Sequence, residues 1–405
     1  MEHKYQRFVP VVDSTGHPLM PTKWSRAWRW VRQGKATFFY KKGILCVRLN
    51  QEPSDRNYQD TGLGLDPGSK FEGYSVKSEH STYINIQADA RTGVKDAMKE
   101  RRIYRRSRRQ RHTPYRECRP NRHRNEGFIP PSIKARWQWR LKIISILCSI
   151  LPIRYIAVED VCAATIKDVN KTDYVKQHNT LFSWVQNGKN WFYSQLEHFV
   201  PKHCIYKVAG YDTHGMRVGM RLHKSKNKGE NSFWAHCVDA WIIISHVLGC
   251  NPRVDNLDYI QIKPIKYSRR QLHVANPAVG GIRKSYGSTL SMDIIRGTLV
   301  YHKSSTRAMS HGYTLVGGTS KGKISLHHPT THNRLATNIN PKDCKILSRL
   351  GYLVKHFYYM GSNTSKGEYG YIEHFKALYK PRMRDMYHSF TSMHNYYTRP
   401  VSIRF

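Results

Sequence analysis

The chain has 405 residues, with 67 Lys and Arg against 28 Asp and Glu, a formal net charge of +39. With 39% hydrophobic and 12% aromatic residues it has the makings of a sizeable core, which excludes a disordered basic tail. A globular chain this positive repels itself until a polyanion neutralises it. Because the charge recurs along the whole length, a long nucleic acid is the expected partner rather than a membrane.

Residues 1–55 read as a small β–α–β module. The run FVPVVDSTGHPLMP gives a strand, a turn at Thr15–Gly16 and a return. A helix follows with Thr22 as its cap and Trp24, Ala27, Trp28 and Val31 at helical spacing, and GILCVRL closes the module as a strand. Its tryptophans read as core and its basic helix face as a surface for phosphate. Residues 56–92 give LGLD, a turn, FEGYSVK, another turn and TYINIQA, two or three antiparallel strands. Residues 93–140 hold the most biased segment, KERRIYRRSRRQRHTPYRECRPNRHRN at 99–125. Through Arg111 it has no helix breaker, and its arginines cover most of the helical circumference. Such a helix must be solvated or surrounded by phosphate. Arg101, Arg102, Arg105, Arg106, Arg108, Arg109 and Arg111 are the expected nucleic-acid contacts.

Across 141–250, IKARWQWRLKIISILCSIL reads as a helix running into Pro152, and IRYIAVED as a buried strand ending at Glu159 and Asp160. NGKNWFYSQLEHF reads as a helix, CIYKVA as a strand, HKSKNKGENS as a basic loop and FWAHCVDAWIIISHVLG as one strongly apolar helix. The most apolar stretch, IISILCSILPI, is too short to span a bilayer. Beyond residue 251 the texture changes to short Gly-punctuated strands, the mark of a separate β-rich domain over 251–355. Residues 356–405 are Tyr-rich, with no structure assigned. The eight cysteines include no C-x-x-C pair, which argues against a zinc ribbon and leaves reduced thiols. MEHKYQRFVP lacks the apolar core of a signal peptide. A soluble protein without membrane segments is expected, placed in a prokaryotic cytoplasm near the nucleoid or in an organelle.

Three carboxylates line up by context. Asp66 ends a strand that runs into a hairpin, where Asp-Pro-Gly alone would be ordinary turn chemistry. Glu159 ends a later apolar strand. Asp239 lies on the apolar helix, with His236 at i−3 on the same face. Carboxylates at neighbouring strand ends, facing another from a helix, make an oxygen-rich site for Mg²⁺ or Mn²⁺, and a pair of such ions activates water for phosphoryl displacement. His236 would serve as a base or orient the attacking water.

The motifs GLDPGSK, IAVED and HCVDA resemble the three split motifs of a RuvC nuclease, an RNase H-like fold. RRIYRRSRRQR resembles the arginine-rich bridge helix of transposon-associated RNA-guided nucleases, and GHPLMP the N-terminal PLMP module of the IscB and IsrB group. The LHKSKNKGENSFWAHCVDAW and VGGTSKGKISLH stretches fit that group too, so the resemblance covers roughly residues 8–355 in family order. Helix and strand patterns use most of the span between Glu159 and His236, with no HNH-like cluster, so the chain resembles IsrB, the HNH-less member. The implied architecture is α/β and β-rich multidomain: a split RuvC core, an inserted bridge helix, the PLMP module and a C-terminal domain that holds RNA scaffold and reads a target-adjacent motif. The implied activity is a guide-RNA-directed DNA nickase with Asp66, Glu159, His236 and Asp239 in the active site. Three of these, Asp66, Glu159 and Asp239, would hold metal. Its partners would be a long structured guide RNA, bound by one monomer, and duplex DNA with a displaced strand. The competing readings are a guide-free junction-resolvase-like nuclease, which needs neither arginine helix nor basic C-terminal domain, and a structural RNA-binding protein, which leaves the matched carboxylates unexplained.

Overall fold

A computed structural model describes residues 8–91, 94–110, 128–160, 184–227, 229–250, 253–264, 290–291, 294–295, 297–305, 309–320, 322–329, 331, 333–348, 352–359 and 369–373. Arg111 and the rest of the basic run to 125 lie outside the described residues, as does most of the Tyr-rich end. The chain divides into two compact units: residues 1–297 with 350–372, and residues 298–349 with 373–405.

The N-terminal module is a four-stranded sheet under one helix: β1 (Phe8–Val12), β2 (Pro18–Lys23), α1 (Trp24–Arg32), β3 (Ala36–Lys41) and β4 (Ile44–Leu49), in the order β2-β1-β4-β3. The expected β–α–β pattern has no strand between the helix and GILCVRL, yet ATFFYK forms β3 there; Gly34, at φ +71, follows the end of the helix. A turn through Lys42 and Gly43, both with positive φ, folds β3 onto β4 from Ala36↔Leu49 to Lys41↔Ile44. The cap of α1 is Lys23 rather than Thr22, and no side chain caps it. Ala27 alone on the helix is fully buried, against Val9, Ala36 and Val47, while Trp24 and Trp30 pack at the rim of that cluster.

The following elements are β5 (Thr61–Asp66), β6 (Phe71–Ser78), β7 (Thr82–Asp89), α2 (Val94–Gln110), α3 (Pro131–Cys148), β8 (Tyr155–Glu159), α4 (Trp184–Leu196), β9 (Ile205–Val208), α5 (Gly210–Gly219), α6 (Phe233–His236), α7 (Val238–Val247) and β10 (Tyr259–Pro264). A short ribbon, β11 (Leu290–Ser291) and β12 (Ile294–Ile295), precedes the second unit. That unit is an antiparallel sheet of β13 (Leu299–His302), β14 (Gly312–Ser320), β15 (Lys323–His327), β16 (Arg334–Ile339) and β17 (Cys344–Ser348), ordered β16-β15-β14-β13-β17. The chain then returns through β18 (Tyr352–Tyr359) and β19 (Tyr369–Glu373) to the large sheet, whose order is β19-β18-β10-β7-β6-β5-β8-β9. Thus β10 and β18, from the β-rich region after residue 251, pair with the large sheet: β10 runs parallel to β7 and antiparallel to β18.

The large sheet is covered on both faces, and the period of two assigns each side chain. Leu63 and Leu65 of β5, with Tyr74 and Val76 of β6, share one core with Ile143, Ile144 and Leu147 of α3 and Phe192 and Leu196 of α4. The opposite face of β5 presents Gly62, Gly64 and Asp66 toward α7. Val238 through Ser245 are all buried, as a helix apolar all round requires. The apolar run from Phe233 is not one helix, for it breaks at Cys237 into α6 and α7. The break falls where the His236 carbonyl presses on the sheet at Gly73, and Ser232 caps α6 by accepting from the Ala235 N–H at 3.2 Å.

The arginine-rich helix forms as expected but begins earlier, at Val94. Its described side chains are largely exposed, Ile103 (53%) and Tyr104 (43%) included. Among the described residues no helix is long and apolar enough to cross a membrane. Cys46, Cys148, Cys204, Cys237, Cys250 and Cys344 are free thiols.

Candidate active site

Strand register brings the first two carboxylates together. β5 and β8 run parallel, with Gly62↔Tyr155 through Leu65↔Val158, so Asp66 and Glu159 follow as neighbours at the two carboxyl-terminal ends. Both point to the α7 side, because Gly62 and Gly64 of β5 and Ala157 of β8 face that helix. The third carboxylate depends on how closely α7 can lie on the sheet. A Cβ on Gly64 would sit 1.9 Å from the Ala240 carbonyl oxygen, and one on Gly73 would sit 1.9 Å from that of His236. Without those two side chains the helix settles onto β5 and β6 and brings Asp239, in its first turn, to the strand ends.

The electrostatics reflect the convergence of the acids. Burial, and then the Glu159 charge, push the Asp66 carboxyl well above the usual carboxylate range; a hydrogen bond with Glu159 and the Asp239 charge act in the same direction. Asp239 is satisfied differently. Arg217 Nη1 donates to its Oδ1 at 2.6 Å, and Lys224 Nζ donates to its Oδ2. The same Lys224 Nζ lies 3.9 Å from Asp66 Oδ2. Burial works against the Lys224 ammonium, yet Asp66 and Asp239 outweigh it and hold its pKa above the ordinary lysine value. Two side-chain cations thus stand against three acids.

His236 sits beside this group without touching it. Its Nε2 lies 3.1 Å from the Glu230 carbonyl, which can only accept, so the proton is on Nε2. Its ring packs on Phe71 with centroids 4.6 Å apart. Burial depresses its pKa, and the Lys224 charge adds to the effect. Asp160, next to Glu159, pairs instead with Lys189, whose Nζ is 2.6 Å from Oδ1, and its N–H donates to the Val208 carbonyl.

On the far face of the sheet, a buried network holds the turn after Asp66. Arg140 donates from Nε to Glu72 Oε1 at 2.9 Å and from Nη2 to the Gly68 carbonyl at 3.2 Å, while the Tyr74 hydroxyl donates to Glu72 Oε2. The Asp-Pro-Gly turn is thus pinned from beneath by α3.

Among the described residues no set of three His, Cys, Asp or Glu side chains is arranged as a metal cage. Lys224 and Arg217 occupy both oxygens of Asp239. The donor set nonetheless fits a hard divalent cation. It is all oxygen, it carries more negative charge than its surroundings neutralise without help, and the charges that balance it belong to flexible side chains.

Sequence reasoning finds the three carboxylates but misses Lys224 and Arg217. Lys224 stands in the HKSKNKGENS stretch, legible only as a basic loop, and no spacing rule ties it to Asp66. Of the expected nucleic-acid contacts, Arg101, Arg102, Arg105, Arg106 and Arg109 lie exposed on α2, far along the chain from the carboxylates. Arg108 belongs to the same helix, and Arg111 is outside the described residues.

No curated protein matches the chain. Among solved structures, the RuvC of T. thermophilus in complex with a Holliday junction substrate is 15% identical; the match covers 47% of this chain and 94% of that one, with a TM-score of 0.22. The yeast mitochondrial Holliday junction resolvase is 12% identical over 48% of this chain and 80% of that one, with a TM-score of 0.23. Residues 105–109 read Arg-Arg-Ser-Arg-Arg, and residues 9–177, the stretch that contains Asp66, α2 and Glu159, match the model of a family described as RRXRR protein.

Proposed function

We propose that this chain is a metal-dependent DNA endonuclease, directed by a guide RNA, that nicks the displaced strand of its target. The observation that carries the nuclease reading is the convergence of Asp66, Glu159 and Asp239, enforced by the β5–β8 register and by the close approach of α7 at Gly64 and of the end of α6 at Gly73. Asp66, Glu159 and Asp239 would hold the metal. Mg²⁺ or Mn²⁺ held there, one ion or two, would supply activation of water and charge neutralisation for phosphodiester hydrolysis. The protein's own part is to hold three acids within reach of one another on a rigid sheet and helix. His236, kept neutral by burial with its proton on Nε2, would take a proton from the attacking water at Nδ1.

Guidance by RNA rests on charge and on the arginine-rich helix. The +39 net charge needs a polyanion much longer than a single scissile site. The match to the RRXRR family over 9–177 spans this helix, and the resemblance to the IsrB group supports its reading as the bridge helix. Guide pairing would occupy one DNA strand and displace the other, which a positive groove then leads to the single carboxylate site.

The test uses the full-length protein with its copurified RNA. A matching duplex, labelled differently on each strand, is incubated with Mg²⁺. The expected result is one nick in the unpaired strand, lost in Asp66→Asn, Glu159→Gln and Asp239→Asn while duplex binding persists. Equal cutting of both strands, or cutting after the RNA is removed, would overturn RNA-guided nicking. Full activity in Asp66→Asn would overturn the site itself.

A further inference from the structure

We infer that Lys224 is a built-in competitor for the metal, a latch that keeps the carboxylate site closed until a divalent cation displaces it. This deepens the proposed reading and rests on it. Lys224 Nζ donates to Asp239 Oδ2 and lies 3.9 Å from Asp66 Oδ2, so one ammonium bridges two of the three acids. It therefore stands where a shared cation would be held. Arg217 takes the other oxygen of Asp239 and is braced by His214 Nδ1, 2.9 Å from its Nη2.

The two cations are mounted differently. Arg217 lies on α5, a regular helix, and its side chain is 17% exposed. Lys224 lies on the connection from α5 to α6, and its side chain is 34% exposed. That connection is tied down on both sides of Lys224. Leu222 N–H donates to the Arg217 carbonyl, Ser225 N–H donates to the Trp234 carbonyl at 3.0 Å, and Ser225 Oγ donates to Glu230 Oε2 at 2.6 Å. The backbone at residue 224 is thus fixed beside α6 while its long side chain keeps an outlet to solvent. Such a side chain leaves by rotamer change alone, with no loop rearrangement. Glu230 also supplies the carbonyl that holds His236, so the same short loop governs both the latch and the imidazole.

The latch acts in both states of the site. Without metal, Lys224 offsets the repulsion among three converging acids and so preserves the site. When metal arrives, the ammonium must be released, and apparent metal affinity is lowered by the cost of that release. Once freed, its flexible stem leaves the ammonium near the strand ends, within range of an incoming phosphate.

The test is Mn²⁺ titration of the full-length protein by calorimetry, supported by electron paramagnetic resonance of bound Mn²⁺ and without nucleic-acid substrate. Lys224→Met should bind Mn²⁺ about tenfold more tightly than wild type or beyond, since it removes a competing cation at a site of low exposure. Lys224→Arg should stay close to wild type, and Asp239→Asn should lose the site. Circular dichroism of each variant guards against misfolding, and Arg217→Met serves as a second variant if Lys224→Met does not fold. Unchanged or weaker Mn²⁺ binding in folded Lys224→Met, with binding still abolished by Asp239→Asn, overturns the latch and leaves the metal site standing. Binding that Asp239→Asn does not alter overturns both.

Discussion

At the scale of single residues, the site depends as much on what is missing as on what is present. Asp66 and Glu159 would be useless as a pair if α7 stood a side chain's width further from the sheet. The missing Cβ atoms of Gly64 and Gly73 remove that width, since each would meet a backbone oxygen at 1.9 Å. A backbone oxygen cannot swing aside, so Gly64→Ala should destabilise the protein by about 3 kcal/mol or abolish cleavage by lifting Asp239 away. Gly215→Ala is the control. Gly215 sits within α5 with nothing within 4 Å of the added methyl, so that change should be neutral or stabilise by up to about 1 kcal/mol. Thermal unfolding of both variants, beside cleavage rates, separates the two effects. Equal stability of the two would mean that the helix is not seated by Gly64.

At the scale of elements, α2 and α7 form opposites. α7 is apolar all round and buried; α2 carries arginine on most of its circumference, and its described side chains are largely exposed. Most of the stability of a protein helix comes from packing rather than propensity, so in the proposed reading α2 draws its stability from the nucleic acid it binds. Replacing Arg101, Arg102, Arg105, Arg106 and Arg109 with alanine should therefore leave the melting temperature within a few degrees of wild type. RNA affinity should fall, and the slope of log affinity against log salt should become shallower by roughly one unit for each phosphate no longer neutralised. Filter binding across a salt series measures that slope. An unchanged slope would show that the helix is a solvated surface rather than a clamp.

At the scale of the whole molecule, segments far apart in the chain close onto one another. Within the first unit, β18 brings Tyr352 to the N-terminal module, where its hydroxyl donates to the Lys42 carbonyl at 2.8 Å. His356 lies nearby on the same strand, with its Nε2 3.4 Å from the Gly43 carbonyl. Burial holds the His356 imidazole down to about 4, against 6.5 for the free side chain. Between those values the unfolded chain binds the proton and the folded one does not, so stability rises with pH across the window. As pH falls from about 6.5 to about 4 the fold loses up to about 3 kcal/mol through this one group. His356→Gln, which keeps a donor for Gly43, should flatten the dependence of melting temperature on pH in that window. An unaltered slope would assign the acid sensitivity to other groups.

The sequence by itself determined the local features, because those come from nearest-neighbour chemistry. The strand–turn at Asp66, the strand ending at Glu159, the apolar helix bearing Asp239 and the arginine-rich helix are all legible from periodicity, turn residues and charge. It erred where a local signal was overridden. The run from Phe233 reads as one helix until the sheet breaks it at Cys237. Only the tertiary structure decided which residues meet. That β5 and β8 run parallel in a register that pairs Asp66 with Glu159, that Arg140 pins the turn from below, and that Lys224 and Arg217 neutralise Asp239 are all matters of distance between remote segments. Pairing across the sheet is a property of the packed core, where hydrophobic burial selects one register among several that local propensity allows equally.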